Sequence, residues 1–353
     1  MLTQRSPSAG AILGLGVTLF LIPSCSPPTS NTRDDPGAFP ILRGEYLGQP
    51  LPGASPELFA PGIITTGIYT RDVAMTPDGS ELYFGVLFGS IAAVIETHVG
   101  EDGAWTEPEV ASFSKDSRFF NLEPHITPDG SKFLFLSTRV ENPGPEDLQN
   151  WSNQNIWVMD RTDDGWGEPY DLGPPVNSEE AEFYPSVTLD GTLYFTRGIN
   201  GGQESYIFRS RLQDGAYQEP ERLGPEVNST ANQFNAFIAP DESYLIISTG
   251  SRDDGFGGSD YYIVFRDGAD RWSAPVNMGA AVNTALNGEM SPYVSPDGRF
   301  FFFMTNRPFP MESLPDTLTW EYLKDFRDMP QTGNPGIYWM DAGFIQDLRP
   351  EGF

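Results

Sequence analysis

Five polar residues stand at matched distances ahead of five tight turns. Asp72 and Glu123 lie six residues before the aspartates of their turns, and Glu182, Gln233 and Glu289 lie eight before theirs. Both offsets are even, so a regular strand points all five side chains to one face. Where such strands are innermost in a closed array, the acids line a common channel. Carboxylates that share a site raise one another's pKa, which suits acid catalysis or cation capture. Glu123 and His125, with Glu182 and Glu289 as partners, are therefore the candidate catalytic groups of a carbohydrate-active hydrolase or lyase. Glycosidase chemistry needs two carboxylates roughly 5–9.5 Å apart. The competing reading is a solvated channel wall or a set of strand caps.

A second set, Arg139, Arg197, Arg252 and Arg307, follows the strands that leave those turns. Each guanidinium can fork onto an acid of its own or the next copy, which fixes position. Alternatively these arginines, with Asp72, bind an anionic or sugar ligand. The rest of the inventory is thin. There are two histidines, His98 and His125, and a single cysteine, Cys25. Two histidines with scattered acids fall short of a three-ligand zinc pattern. Asp253, Asp254 and Asp260 in SRDDGFGGSD can face a hard divalent cation, but their spacing is not that of an EF-hand loop. No cofactor is expected. Neither a G-x-S-x-G elbow nor a Walker loop occurs, and GFGG at 255–258 is no dinucleotide fingerprint among strands.

The elements that must position these groups repeat along the chain. The turns are Pro77-Asp78-Gly79, Pro128-Asp129-Gly130, Leu189-Asp190-Gly191, Pro240-Asp241-Glu242 and Pro296-Asp297-Gly298, recurring roughly every 50 to 60 residues. Pro fixes φ, Asp bonds its own backbone and Gly accepts positive φ. Each turn leads into an aromatic or β-branched run, and a third strand follows. Four copies then carry an aromatic residue three positions before a proline: Trp105/Pro108, Trp166/Pro169, Tyr217/Pro220 and Trp272/Pro275. The rings are expected to fill space between copies, and the proline suits an outer edge strand. Val176-Asn177, Val227-Asn228 and Val282-Asn283 lead into the next copy. A strand-only unit of this length predicts an all-β propeller of four-stranded blades, five favoured and six as the alternative.

The last copy lacks the aromatic-x-x-Pro element. Either Glu57–Ile64 or Phe344–Leu348 must complete its blade, and the N-terminal segment is preferred. The last copy also carries an insertion at 308–335. Within it Thr317–Phe326 is expected to form a short helix, with Trp320, Leu323 and Phe326 along one side.

Residues 1–24 stand apart, with Arg5 ahead of an apolar stretch, Ala11–Ile22, too short for a comfortable membrane span. They are expected to be an export signal, followed by a tether at 25–40 and a single propeller domain at 41–353. With no second cysteine there is no internal disulfide, so burial and strand pairing must hold the fold. The formal net charge of −28 disfavours nucleic acid and anionic headgroups.

NLEPHITPDGSKFLFLSTR at 121–139 and GEMSPYVSPDGRFFFFMTNR at 288–307 resemble the WD40-like PD40 repeat of TolB-like propellers. The Gly-rich loop and following strands at 251–283 are similar to the same family. The resemblance covers 70–341 and implies the fold more than the function, because such propellers host unrelated roles. Leu21-Ile22-Pro23-Ser24-Cys25 resembles the end of a bacterial lipoprotein signal, which implies lipidation of Cys25. Ser26 after that cysteine, by the same resemblance, implies the outer membrane. The expectation is a lipid-anchored, periplasmic binding or scaffold module with an envelope protein or glycan as its partner.

Overall fold

A computed structural model describes residues 38–353 except Asn287. Cys25, the apolar stretch before it and most of the expected tether lie outside the described residues. The unit Leu42–Phe353 is a propeller of five four-stranded antiparallel sheets. Blade one comprises Tyr69–Met75, Glu81–Phe88, Ile91–His98 and Glu109–Val110. Blade two comprises Asn121–Ile126, Lys132–Ser137, Asn155–Thr162 and Tyr170–Asp171. Blade three comprises Ala181–Val187, Leu193–Ile199, Glu204–Ser210 and Glu221–Arg222. Blade four comprises Gln233–Ile238, Tyr244–Gly250, Ser259–Phe265 and Val276–Asn277. Blade five takes Met290–Val294, Phe300–Thr305 and Gly336–Asp341, and borrows its fourth strand, Glu57–Leu58, from ahead of blade one. Glu57 pairs with Trp339 and Leu58 with Tyr338, so the N-terminal segment closes the ring. Phe344–Asp347 instead forms one helical turn. The first strands of the blades neighbour one another in cyclic order around the axis.

The turns form for the reasons their residues suggest. In blades one, two, three and five a Thr or Ser hydroxyl donates to the turn aspartate: Thr76 to Asp78, Thr127 to Asp129, Thr188 to Asp190 and Ser295 to Asp297, at 2.5–2.7 Å. The same carboxylate oxygen accepts the N–H two residues on, as Ser80 to Asp78 at 3.0 Å. Blade four departs, with Ala239 in place of the hydroxyl and Glu242, at φ 57°, in place of glycine. Glu242 has other work: it accepts Tyr194 OH at 2.8 Å and Arg266 Nη1 at 2.6 Å, tying blade four to blade three.

One sequence expectation fails here. The inner strands are not regular: each carries a β-bulge, seen as a register shift between Arg71/Ala74, Leu122/His125, Phe183/Ser186, Phe234/Phe237 and Met290/Tyr293. Asp72, Glu123, Tyr184, Asn235 and Ser291 sit at these bulges with φ between 49° and 63°. A bulge inserts one extra residue and bends the strand, so the even-offset argument cannot carry across it. Asp72 and Glu123 thus belong to one layer, while Glu182, Gln233 and Glu289 belong to another.

The blades are fastened by side chains from the connecting segments. Asn177 closes two bonds on the third strand of blade two, accepting Ile156 N at 3.0 Å and donating to its carbonyl at 2.9 Å. Asn228 does the same to Ile207, and Asn283 to Tyr261. In blade one Ser114 takes the corresponding place and accepts Val94 N. The recurring aromatics pack between blades: Trp105 is buried, and Trp166 donates its indole N–H to Tyr83 OH at 2.9 Å. The insertion contains the helix Trp320–Arg327, capped by Thr319, whose hydroxyl accepts Tyr322 N. Phe326 packs edge-on against Phe309, whereas Trp320 and Leu323 are exposed.

Candidate functional site

The five bulge residues build a hydrogen-bonded girdle across the propeller axis. Asp72 Oδ2 accepts the backbone N–H of Glu123 at 3.0 Å, and Glu123 Oε2 accepts that of Tyr184 at 2.8 Å. Ser291 Oγ donates to Asp72 Oδ1 at 2.5 Å, and Asn235 Nδ2 donates to Ser291 Oγ at 3.3 Å. The phenol of Tyr184 reaches the carbonyl of Pro292 in blade five at 2.9 Å. A bulge exposes an N–H that no strand can take, and here the neighbouring blade supplies the acceptor.

Arg71 completes the girdle by bridging Asp72 Oδ1 at 2.9 Å and Glu123 Oε1 at 2.6 Å. All three groups are largely out of solvent. Burial alone would lower the Arg71 pKa, yet the two carboxylates more than offset it and hold the guanidinium above its usual range. Glu123 is pushed up to about 7, chiefly by burial, with Arg71 pulling the other way. Burial also raises the Tyr184 phenol well above its ordinary value. The group is a buried ion triad with one carboxylate poised near neutrality.

The four candidate catalytic residues are each hydrogen-bonded to different partners. Glu182 accepts Arg197 Nε at 2.7 Å and Ser178 Oγ at 2.5 Å. Glu289 accepts Thr284 and Thr305 hydroxyls at 2.7 and 2.9 Å. Burial raises both carboxyls, opposed by these donors. His125 accepts Val187 N through Nε2 at 2.9 Å, and burial drives its pKa down to about 4, so the imidazole is neutral. Ser186 and Tyr293 play the same part as His125, accepting Ile238 N and Met75 N of the following blade. A histidine spent in this way has no free basic nitrogen at that edge. His98 is the last residue of the third strand of blade one.

The arginine set divides. Arg139 donates to Asn121 Oδ1 at 2.7 Å and to the carbonyl of Phe113, and Arg307 donates to that of Ala281. Arg197 reaches the Val176 carbonyl from a different register, at 2.7 Å. Three guanidiniums therefore pin the connector that leads into their own blade. Arg252 is different: it forks onto Asp254 two residues away and stacks on Tyr262. That fork, before any other cause, draws Asp254 down to about 2. Asp260 Oδ2 accepts Phe256 N and Gly257 N of its own loop. Among the described residues no three His, Cys, Asp or Glu side chains converge as a metal would require.

Sequence reasoning missed Arg71, Tyr184, Asn235 and Ser291. The signal was present: each of the last three lies six residues before its turn aspartate, as Asp72 and Glu123 do.

No family model and no curated protein matches the chain. Among solved structures it is similar to a putative TolB from Agrobacterium tumefaciens, at 17% identity over 67% of this chain and 69% of that one, with a TM-score of 0.42. TolB from Acinetobacter baumannii is 16% identical over 77% of this chain and 57% of its own length, with a TM-score of 0.44. The alpha-L-arabinofuranosidase PaAbf62A from Podospora anserina is 11% identical over 82% of this chain and 93% of its own, with a TM-score of 0.42.

Proposed function

We propose that this chain is a binding or scaffold propeller of the bacterial cell envelope, with PD40-type repeats. In this reading it is lipidated at Cys25, held on the periplasmic side of the outer membrane, and recognises an envelope protein or a glycan. One observation carries the reading. Glu123 and His125 accept backbone N–H groups of the next blade, and Glu182 and Glu289 accept side chains of their own blade and its connector, so all four are engaged in hydrogen bonds that support the fold. What remains for recognition is the rim, where the insertion presents Met311, Leu318, Trp320 and Leu323 to solvent. Exposed large apolar side chains gathered on one segment mark an interaction surface.

The test is a cross-linked pull-down of the lipidated chain from its native envelope, quantified by mass spectrometry. A stoichiometric partner lost on deleting 308–335 supports the reading. A turnover of envelope glycan that disappears in folded Glu123→Gln or Glu289→Gln would overturn it in favour of a hydrolase or lyase.

A further inference from the structure

Four of the five gaps between neighbouring blades are stopped by an aromatic group supplied by the chain. Between blades one and two, Trp166 bonds Tyr83 and packs edge-on against Phe133 at 5.4 Å. Between three and four, Trp272 meets Tyr194 edge-on at 6.4 Å. Between five and one, Trp105 donates to Gly44 O at 2.8 Å while Tyr46 lies against Phe300 and Trp339. Between four and five, Phe344 packs on Phe301 and Arg349 covers Phe265. The gap between blades two and three holds a cavity of about 560 Å³ instead.

Three departures from the repeat coincide at that gap. Leu134 stands where Tyr83 and Phe302 stand in their blades, two residues past the start of the second strand, and where Tyr194 stands one residue past it because its turn is one residue shorter. Blade four also has an aliphatic there, Ile246, but its gap is the one the C-terminal segment fills. Tyr217 occupies the position of Trp105, Trp166 and Trp272. The blade-three turn also closes one residue early, with Thr188 N bonding Thr192 O where Thr76 N and Thr127 N reach Glu81 O and Lys132 O. The inner wall is buried and aliphatic, from Leu134, Val158, Val176 and Val187, and Tyr170 and Tyr217 line it further out. The charges nearby are already spent. Lys132 Nζ lies 2.5 Å from Asp160, and Asp129 is held by Thr127 and Ser131. An ion would find no free counter-charge, whereas an aromatic body would fill the space that Leu134 and Tyr217, smaller than the pairs at the other gaps, leave open. The volume falls within the range of small-molecule sites, roughly 300–1,000 Å³.

We propose that the gap between blades two and three is a binding site for a small, uncharged aromatic molecule of about indole size. This goes beyond the envelope-partner reading and does not depend on it. The test titrates indole, with methyl β-glucoside in parallel, onto the full chain by saturation-transfer NMR and calorimetry. Leu134→Tyr restores the residue that blades one and three carry, and Tyr217→Trp restores the usual stopper. Indole is expected to bind with a Kd below about 1 mM, and each variant to weaken it by about tenfold or more. Using two independent fillings keeps the test decisive if one variant misfolds. Absence of indole binding at several times that concentration overturns the proposal. So does equal binding by the folded variants, or preferential binding of the glucoside.

Discussion

Glu123 and Tyr184 are joined across a blade boundary: the carboxylate of the one accepts the backbone N–H of the other at 2.8 Å. Both residues sit in left-handed backbone conformation at the bulge of their inner strands. Non-glycine residues enter that region at a cost, and the cost persists only where surroundings over-determine it. Here the bulge frees an N–H, and the preceding blade's bulge residue meets it.

Arg71 should be the most sensitive residue of the girdle. Arg71→Met leaves Asp72 and Glu123 facing each other in burial without their cation. The expected loss is about 3–5 kcal/mol at pH 8, as for other buried pairs stripped of one partner. Denaturant midpoints measure it, and the loss should shrink at pH 5, where Glu123 takes up a proton.

Glu123 and His125 should tilt stability in opposite directions. Glu123 has its folded pKa raised from 4.5 to about 7, so its contribution is fully present below about pH 4.5 and is lost as pH rises through 7. His125 has its folded pKa lowered from 6.5 to about 4, so its contribution is present above pH 6.5 and is lost as pH falls toward 4. Glu123→Gln should flatten the decline between pH 4.5 and 7, worth on the order of 3 kcal/mol. His125→Gln, which keeps an acceptor for Val187, should flatten the acid limb. Unfolding free energies at six or more pH values separate the two, and parallel curves for wild type and both variants would contradict the assignment.

Much of this was legible in the chain. The turn aspartates, their glycines and the aromatic-x-x-Pro pairs are local chemistry, so blade count and strand order followed from spacing. The Val-Asn connectors were visible too, although not their role as two-bond clamps, which depends on a third strand some twenty residues upstream in the chain. The grouping of the channel acids failed for a physical reason. The bulge at Asp72 involves neither Gly nor Pro, so nothing there announces the parity break, whereas Pro124, Pro185 and Pro292 fall inside the bulges of blades two, three and five and were a signal left unused. Arg197 was equally misleading, since it reaches the same carbonyl layer as Arg139 from another register.

The amide clamps should be individually strong. Asn228→Ala removes an acceptor for Ile207 N and donors to the carbonyls of Ile207 and Leu223, all buried. A destabilisation of about 2–3 kcal/mol is expected, read from the denaturant midpoint, against under 1 kcal/mol for an exposed control.

Gly67 should control the insertion. Its N–H donates to Asp328 O at 3.0 Å, and its Cα faces the Arg327 carbonyl so closely that a methyl group has no room. Gly67→Ala is expected to lift the end of the helix Trp320–Arg327 off the blade. Limited proteolysis should then cut within 308–335 several-fold faster, with the propeller core still resistant.

The borrowed strand should open more easily once Gln49 is lost. The Gln49 side chain donates to Leu58 O at 2.8 Å and accepts Ala60 N at 2.7 Å, bracketing Glu57–Leu58. Gln49→Ala should raise hydrogen exchange at Gly336–Asp341 while leaving blades two and three unchanged.

The pairing of Glu57–Leu58 with Gly336–Asp341 also sets an order of events. Within each of the first four blades, sheet pairing joins residues near in sequence, whereas this pairing joins opposite ends of the chain and costs the most closure entropy. During synthesis the circle stays open until the last strand has emerged. For that interval the flank of blade one and the edge of Gly336–Asp341 are unpaired and adhesive. The step that makes the molecule whole is therefore also the one at which two copies can trade ends.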